Sequence, residues 1–127
     1  MVDRVVSCEG KHAQTVFAIC EGNMLLEDNA LSSAGIIENM AQSCAARMGC
    51  KDWQSGEPIK IGYIGDVRDC DILRHPVVGE TLETQVNIIE EMFGLMLAEV
   101  TVKSGETIVA TARMKIAMTD IIAQLDE

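Results

Sequence analysis

Glu38 is the residue that stands out on chemical grounds. It sits in Leu31-Ser32-Ser33-Ala34-Gly35-Ile36-Ile37-Glu38-Asn39-Met40-Ala41-Gln42-Ser43-Cys44-Ala45-Ala46-Arg47-Met48-Gly49, which reads as a helix that is apolar nearly all round. Between Ser33 and Arg47 its carboxylate is the only charge. Helices of this composition usually pack into a core, where a lone charge is costly. A buried carboxylate is expected to hold its proton more tightly than usual, which suits general acid or base work. The alternative is a core helix whose Glu38 reaches an edge or a partner. Ser32 or Ser33 can cap the N-terminus, and Gly49, preceded by Arg47, can end the helix.

The other reactive side chains are less organised. Cys8, Cys20, Cys44, Cys50 and Cys70 form no CxxC pair and no metal-ligand spacing. Free thiols in a reducing cytoplasm account for them, and no Cys/His pairing marks a nucleophile. No metal and no cofactor is expected. His12 falls in a predicted strand and His75 in a predicted turn, so each reads as a surface or turn histidine. A catalytic base must lie within hydrogen-bond reach of the proton it takes, and no spacing places either one there.

The elements that must position Glu38 can be read from periodicity and turn residues. Arg4–Ser7 and His12–Cys20 are predicted strands joined through Glu9-Gly10, and Glu21–Asn29 is an irregular polar stretch. After the helix, Lys51–Lys60 reads as a loop and Ile61–Leu73 as a long strand, irregular at Gly62 and Gly65. His75–Glu80 is a turn punctuated by Pro76 and Gly79. Thr81–Glu91, Phe93–Val102 and Thr107–Met118 follow as strands, the last two joined by Lys103-Ser104-Gly105-Glu106. Thr119–Glu127 reads as a short helical turn or a frayed tail. The order, two strands, one helix, then about four antiparallel strands, predicts an α+β fold with a curled sheet around one long helix. A single helix cannot cover so wide a sheet, so dimerisation by edge pairing or helix contact is expected.

Composition bounds the rest. The 127 residues are expected to form one domain, spanning 1–127, and 48 % of them are apolar while only 3 % are aromatic. The core must therefore be built from Val, Ile, Leu, Met and Ala, and Met40, Met48, Met92, Met96 and Met114 read either as core or as the lining of an acyl tunnel. There is no apolar run of membrane-spanning length, and Asp3 and Arg4 stand where a signal peptide would be apolar, so a cytoplasmic location is expected. A net charge of −10 argues against a nucleic-acid surface. An acidic carrier protein would need a basic patch, for which Arg68, Arg74, Arg113 and Lys115 are the evident source.

These residues resemble the hotdog-fold 3-hydroxyacyl-acyl-carrier-protein dehydratases. The likeness is carried by Gly35-Ile36-Ile37-Glu38-Asn39-Met40-Ala41-Gln42, which matches the family's glycine-led apolar run, glutamate and small-Met-Ala-Gln sequence. Val2-Asp3-Arg4-Val5 resembles the opening strand, and Arg74-His75-Pro76-Val77-Val78-Gly79-Glu80-Thr81-Leu82 the family's Arg-Pro-Val loop. The last hairpin, through Gly105 to Ala110-Thr111-Ala112, fits as well, so the resemblance extends over residues 2–117.

The resemblance implies a dimer with acyl-thioester sites at the subunit interface. In that family a loop histidine removes the α-proton, while the helix glutamate of the other subunit helps expel the β-hydroxyl as water. Peptide N–H groups at the helix N-terminus polarise the thioester carbonyl. Glu38 carries over as a candidate catalytic residue; Asn29 joins it as a candidate to replace the family's histidine, alongside Asn23 or a water, and Ser33, Ala34, Gly35 and Gln42 are the candidate substrate-binding residues. Ser33 matches the family's glycine before the helix. The histidine does not carry over, because Glu21–Leu31 contains none; its polar residues are Asn23, Glu27, Asp28 and Asn29. Three functions follow: a dehydratase acting on 3-hydroxyacyl thioesters of acyl carrier protein or coenzyme A, in fatty-acid or related lipid or polyketide-type synthesis; a hotdog thioesterase using Glu38 and Asn29; and a non-catalytic acyl-binding or partner subunit.

Overall fold

The structure, a computed structural model, describes residues 1–58 and 60–122. Strands β1 (Arg4–Glu9) and β2 (His12–Ala18) form a hairpin, and a short hairpin of β3 (Leu26–Glu27) and β4 (Ala30–Leu31) precedes helix α1 (Ser33–Gln54). Four strands follow: β5 (Lys60–Ile72), β6 (Thr81–Met92), β7 (Leu95–Ser104) and β8 (Thr107–Ile122). Six strands make one antiparallel sheet in the order β1-β2-β6-β7-β8-β5, with α1 packed across it. The predicted α+β order is observed. β5 is irregular beside both Gly62 and Gly65, where its register against β8 shifts.

The core lies between one side of α1 and the sheet. Ile36, Met40, Cys44 and Met48 of the helix meet Val86, Ile88, Met96, Val100, Met114 and Ile116 of the strands. Met40, Met48, Met96 and Met114 are thus core residues, whereas Met92 is exposed. Alternation along β6 and β7 sends every second side chain into this core.

Most strand ends lie within two residues of the sequence reading, and the larger differences are these. Helix α1 runs through Gly49 to Gln54 and ends at Ser55, whose N–H is donated to Lys51 O. A single mid-helix glycine costs about 1 kcal/mol; the helix continues past it, with Gln54 Nε2 donating to Cys8 O at 3.2 Å, and the chain turns left-handed only at Gly56 (φ 70°). Arg47 is therefore not an end-of-helix charge but a buried one, donating from Nη2 to Gly10 O at 3.0 Å. Phe93 is not the start of β7: with Gly94 it forms the β6–β7 turn, both residues at positive φ. The irregular stretch before the helix contains the β3–β4 hairpin, turned by Asp28 (φ 49°) and Asn29 (φ 66°). Residues Thr119–Ile122 extend β8, and 123–127 lie outside the described residues. Among the described residues no helix is long and apolar enough to cross a membrane.

Candidate active site

Helix α1 is best understood as ridges of residues four apart. Two adjacent ridges are buried: Gly35-Asn39-Ser43-Arg47 and Ile36-Met40-Cys44-Met48. The ridge Ala34-Glu38-Gln42 is exposed, and Ile37, Ala41 and Ala45 beside it are half-buried or exposed. The expectation of a buried Glu38 carboxylate is therefore corrected. One sheet contacts one side of a helix, and Glu38 lies on the side that this chain's own sheet leaves open.

The buried polar side chain is its neighbour, Asn39. It is fully inaccessible, with Nδ2 donating to Met1 O at 2.8 Å and Oδ1 accepting from Thr84 Oγ1 at 2.6 Å. One turn on, Ser43 Oγ donates to Asn39 O at 2.7 Å and shares a 2.8 Å hydrogen bond with Thr15 Oγ1. This network bolts the ridge next to Glu38 onto β2 and β6. The sequence reading missed it, although the four-residue spacing of Gly35, Asn39 and Ser43 was the available signal.

On the open ridge, Gln42 Nε2 donates to Glu38 Oε1 at 2.8 Å, while Gln42 Oε1 accepts from Met1 N at 3.0 Å. The Gln42 amide is thus oriented at both ends, and one oxygen of the carboxylate is held one helical turn from the first-turn peptide groups. The structure brings Glu38 and Gln42 together, as their spacing requires.

At the helix N-terminus, Ser32 is the cap: its Oγ accepts from Gly35 N at 3.1 Å, and its own N–H is donated to Leu25 O. The first turn of a helix leaves its N–H groups without intrahelical acceptors. Ser32 and Gly35 have found theirs. Ser33 and Ala34 are exposed, and among the described residues their N–H groups have no acceptor assigned. Those two groups, at the positive end of the helix dipole, can stabilise developing negative charge on a carbonyl oxygen. Gly35 contributes space rather than a donor: a Cβ there would lie 2.5 Å from Leu31 Cδ1 and 3.1 Å from Leu25 Cβ.

Asn29 sits at the exposed tip of the β3–β4 hairpin, and its carbonyl accepts from Val78 N at 3.0 Å. Its left-handed φ of 66° is a conformation asparagine tolerates better than most residues. The loop facing this hairpin carries His75, whose Nδ1–H is donated to Leu31 O at 2.9 Å, just ahead of the cap. A carbonyl oxygen can only accept, so Nδ1 carries the proton of this hydrogen bond and Nε2 is the ring nitrogen not engaged by it. The backbone of the same loop is stitched to β4 through Leu31 N donating to Pro76 O at 2.7 Å. His12, by contrast, is spent on a cross-strand hydrogen bond to Asn87 Oδ1.

The loop is braced by Arg74, which donates to both carboxylate oxygens of Glu80 at 2.7 and 3.1 Å. Glu80 also accepts from Val77 N and Ser104 Oγ. The Arg74 guanidinium leads these partners in holding the Glu80 carboxyl down at about 2, well below the usual carboxylate range. The basic set read from the sequence is thereby divided. Arg74 serves the loop, while Arg68 and Arg113 are register partners on β5 and β8, with Lys115 close by. Arg68 is itself paired with Asp66. Among the described residues no cluster of His, Cys, Asp and Glu could hold a metal ion.

Comparison with known proteins fits this geometry. The dehydratase heterocomplex ApeI:P from Xenorhabdus doucetiae superposes with a TM-score of 0.86 at 18 % identity, over 94 % of this chain and 82 % of that one. The E. coli PaaI protein of the phenylacetic acid degradation operon gives 0.74 at 12 % identity, covering 94 % and 80 %. A hypothetical thioesterase from Streptococcus pneumoniae TIGR4, solved with coenzyme A, gives 0.74 at 10 % identity, covering 94 % and 90 %. The fold is thus the hotdog, a curled antiparallel sheet around one helix. No curated protein sequence matches. The family model described as ApeP dehydratase matches residues 1–126, and the chain belongs to the ApeP-like dehydratase family.

Proposed function

We propose that this chain is the acid-bearing subunit of a dehydratase acting on 3-hydroxyacyl thioesters of acyl carrier protein or coenzyme A. The observation that carries the reading is the placement of Glu38 on the open ridge of α1, oriented by Gln42 and one turn from the uncommitted N–H groups of Ser33 and Ala34. In the reaction a base removes the α-proton, and the negative charge that develops on the thioester oxygen is met by those N–H groups. Glu38 gives its proton to the β-hydroxyl, the C–O bond breaks, and water leaves as the α–β double bond forms.

The base comes from a partner. Residues 21–31 hold no histidine, and a second copy of this chain would bring the same loop. Asparagine does not take a proton at neutral pH, so Asn29 cannot fill the role alone. A hotdog chain that carries the loop histidine and packs on the open ridge supplies what is missing and covers Ile37 and Ala41. The solved ApeI:P dehydratase is a heterocomplex, which supports this arrangement. The place of such an assembly is the cytoplasmic synthesis of fatty-acid, lipid or polyketide-type chains.

The test mixes the purified chain, alone and with a hotdog dehydratase that carries a loop histidine, with 3-hydroxyacyl and plain acyl thioesters on both carriers. Enoyl product from the mixture, reduced about 10²–10⁴-fold by Glu38→Gln, is the expected result. Enoyl product from the chain alone that is lost in His75→Gln places the base on His75 instead. Release of free thiol without enoyl product makes the protein a thioesterase, the second reading, favoured by the coenzyme A-bound thioesterase of the same fold. Thioester binding with neither product leaves an acyl-binding subunit, and absence of binding overturns all of these.

A further inference from the structure

Cys8 and Cys50 are brought together across the junction of β1 and α1. Cys8 is buried, and its thiol reaches Arg47 O at 4.0 Å. Its backbone carbonyl accepts from Gln54 Nε2 at 3.2 Å. Residues 47, 50 and 54 follow one another along a single helix face, at offsets of three and four. A residue that touches both Arg47 and Gln54 therefore lies over Cys50, which is half-buried. Burial pushes the Cys8 thiol up, and the neighbouring Cys50 acts in the same sense, while Arg47 and Lys51 act in the opposite one.

We propose that Cys8 and Cys50 are a modification site, closing to a reversible disulfide that ties edge strand β1 to the C-terminal half of α1. The oxidant is a peroxide. The sulfur of the more accessible Cys50 attacks a peroxide oxygen, and the O–O bond breaks to give a sulfenic acid, the thiol proton leaving with the displaced hydroxide as water. Cys8 then attacks that sulfur and displaces a second water, so two thiols and one hydrogen peroxide yield one disulfide and two waters. A dithiol reductant reverses the step by exchange. Among the described residues β1 has only β2 as its ladder neighbour, and its register shifts between Val5 and Ser7. A covalent tie adds most at such an edge. Cys44, by contrast, is 1 % exposed with its thiol pushed up to about 12 by burial, and stays unreactive.

The test treats the reduced full chain with hydrogen peroxide, blocks remaining thiols, and maps peptides without reduction by mass spectrometry. A linked peptide pair containing Cys8 and Cys50 is expected, lost on treatment with dithiothreitol. It is accompanied by a rise in Tm of about 5–10 °C from closing the long intervening loop. Cys50→Ser, a change on the half-buried helix surface, abolishes both effects, whereas Cys20→Ser leaves them intact. Cys8→Ala serves as the matching change on the strand. The proposal is overturned if Cys50 proceeds to sulfinic acid, if both thiols stay reduced, or if the link forms to another cysteine.

Discussion

Gln42 Nε2 lies 2.8 Å from Glu38 Oε1, a hydrogen bond one helical turn long on the side of α1 that the sheet does not cover. In the proposed dehydration this bond makes Gln42 the residue that positions Glu38. Gln42→Ala is expected to slow dehydration about tenfold, the loss of one hydrogen bond. Circular dichroism should show the helix intact. Unchanged turnover in the assembled enzyme would remove Gln42 from the site.

Asn39 holds α1 to the sheet through its hydrogen bonds to Met1 O and Thr84 Oγ1. Asn39→Leu leaves the Thr84 hydroxyl and Met1 carbonyl without their partner, a cost of about 2–4 kcal/mol in urea unfolding. Asn39→Leu combined with Thr84→Val removes both ends of one hydrogen bond and should cost less than the sum of the single changes. Strict additivity would show that the 2.6 Å contact carries no coupling energy.

Gly35→Ala should destabilise the protein by about 1–3 kcal/mol, because Leu31 is fully buried and its side chain blocks the added methyl. Relief by the further change Leu31→Ala would confirm the clash. A neutral Gly35→Ala would contradict it.

Glu80 ties stability to acid pH. Its folded-state carboxyl lies at about 2 against a usual 4.5, so ionisation favours the folded state. That contribution is present above pH 4.5 and is lost as pH falls from about 4.5 to about 2. Arg74→Met, which removes the leading cause, should flatten the Tm-versus-pH curve across this window. A curve of unchanged slope would show that Arg74 does not set it.

Asn29 separates turn geometry from chemistry. Asn29→Gly keeps the positive φ and should preserve both stability and activity, whereas Asn29→Ala should lower stability by about 1 kcal/mol. Loss of activity in a stable Asn29→Gly variant would instead show that the side chain acts on the substrate.

Much of the framework could be read from residue order. Alternation located the hairpins of β1–β2 and β7–β8, because a half-buried strand must place apolar side chains at every second position. Gly105 marked the final turn, and Gly62 and Gly65 marked two register shifts of β5, while a third, between Arg68 and Asp71, went unmarked. The helix and its single charge were equally plain, and so was the lack of a histidine before it. Helix length was not, because Gly49 is a weak stop whenever the turns beyond it pack well.

What the order of residues could not decide was which side of α1 faces the sheet. With Ala34, Ile37, Ala41 and Ala45 on the open side as well as Ile36, Met40 and Met48 on the covered one, hydrophobic periodicity selects a face only weakly. The tertiary structure decides the matter through partners: Asn39 and Ser43 find Thr84 and Thr15 on the sheet, Arg47 finds Gly10, and Glu38 is turned outward as a result. The same holds for His75, which is 44 residues from Leu31 and meets its carbonyl only because the β5–β6 loop folds back on β4. Sequence determines which groups are available. Long-range hydrogen bonding, set by the docking of helix on sheet, determines which are spent on the fold and which are left for chemistry.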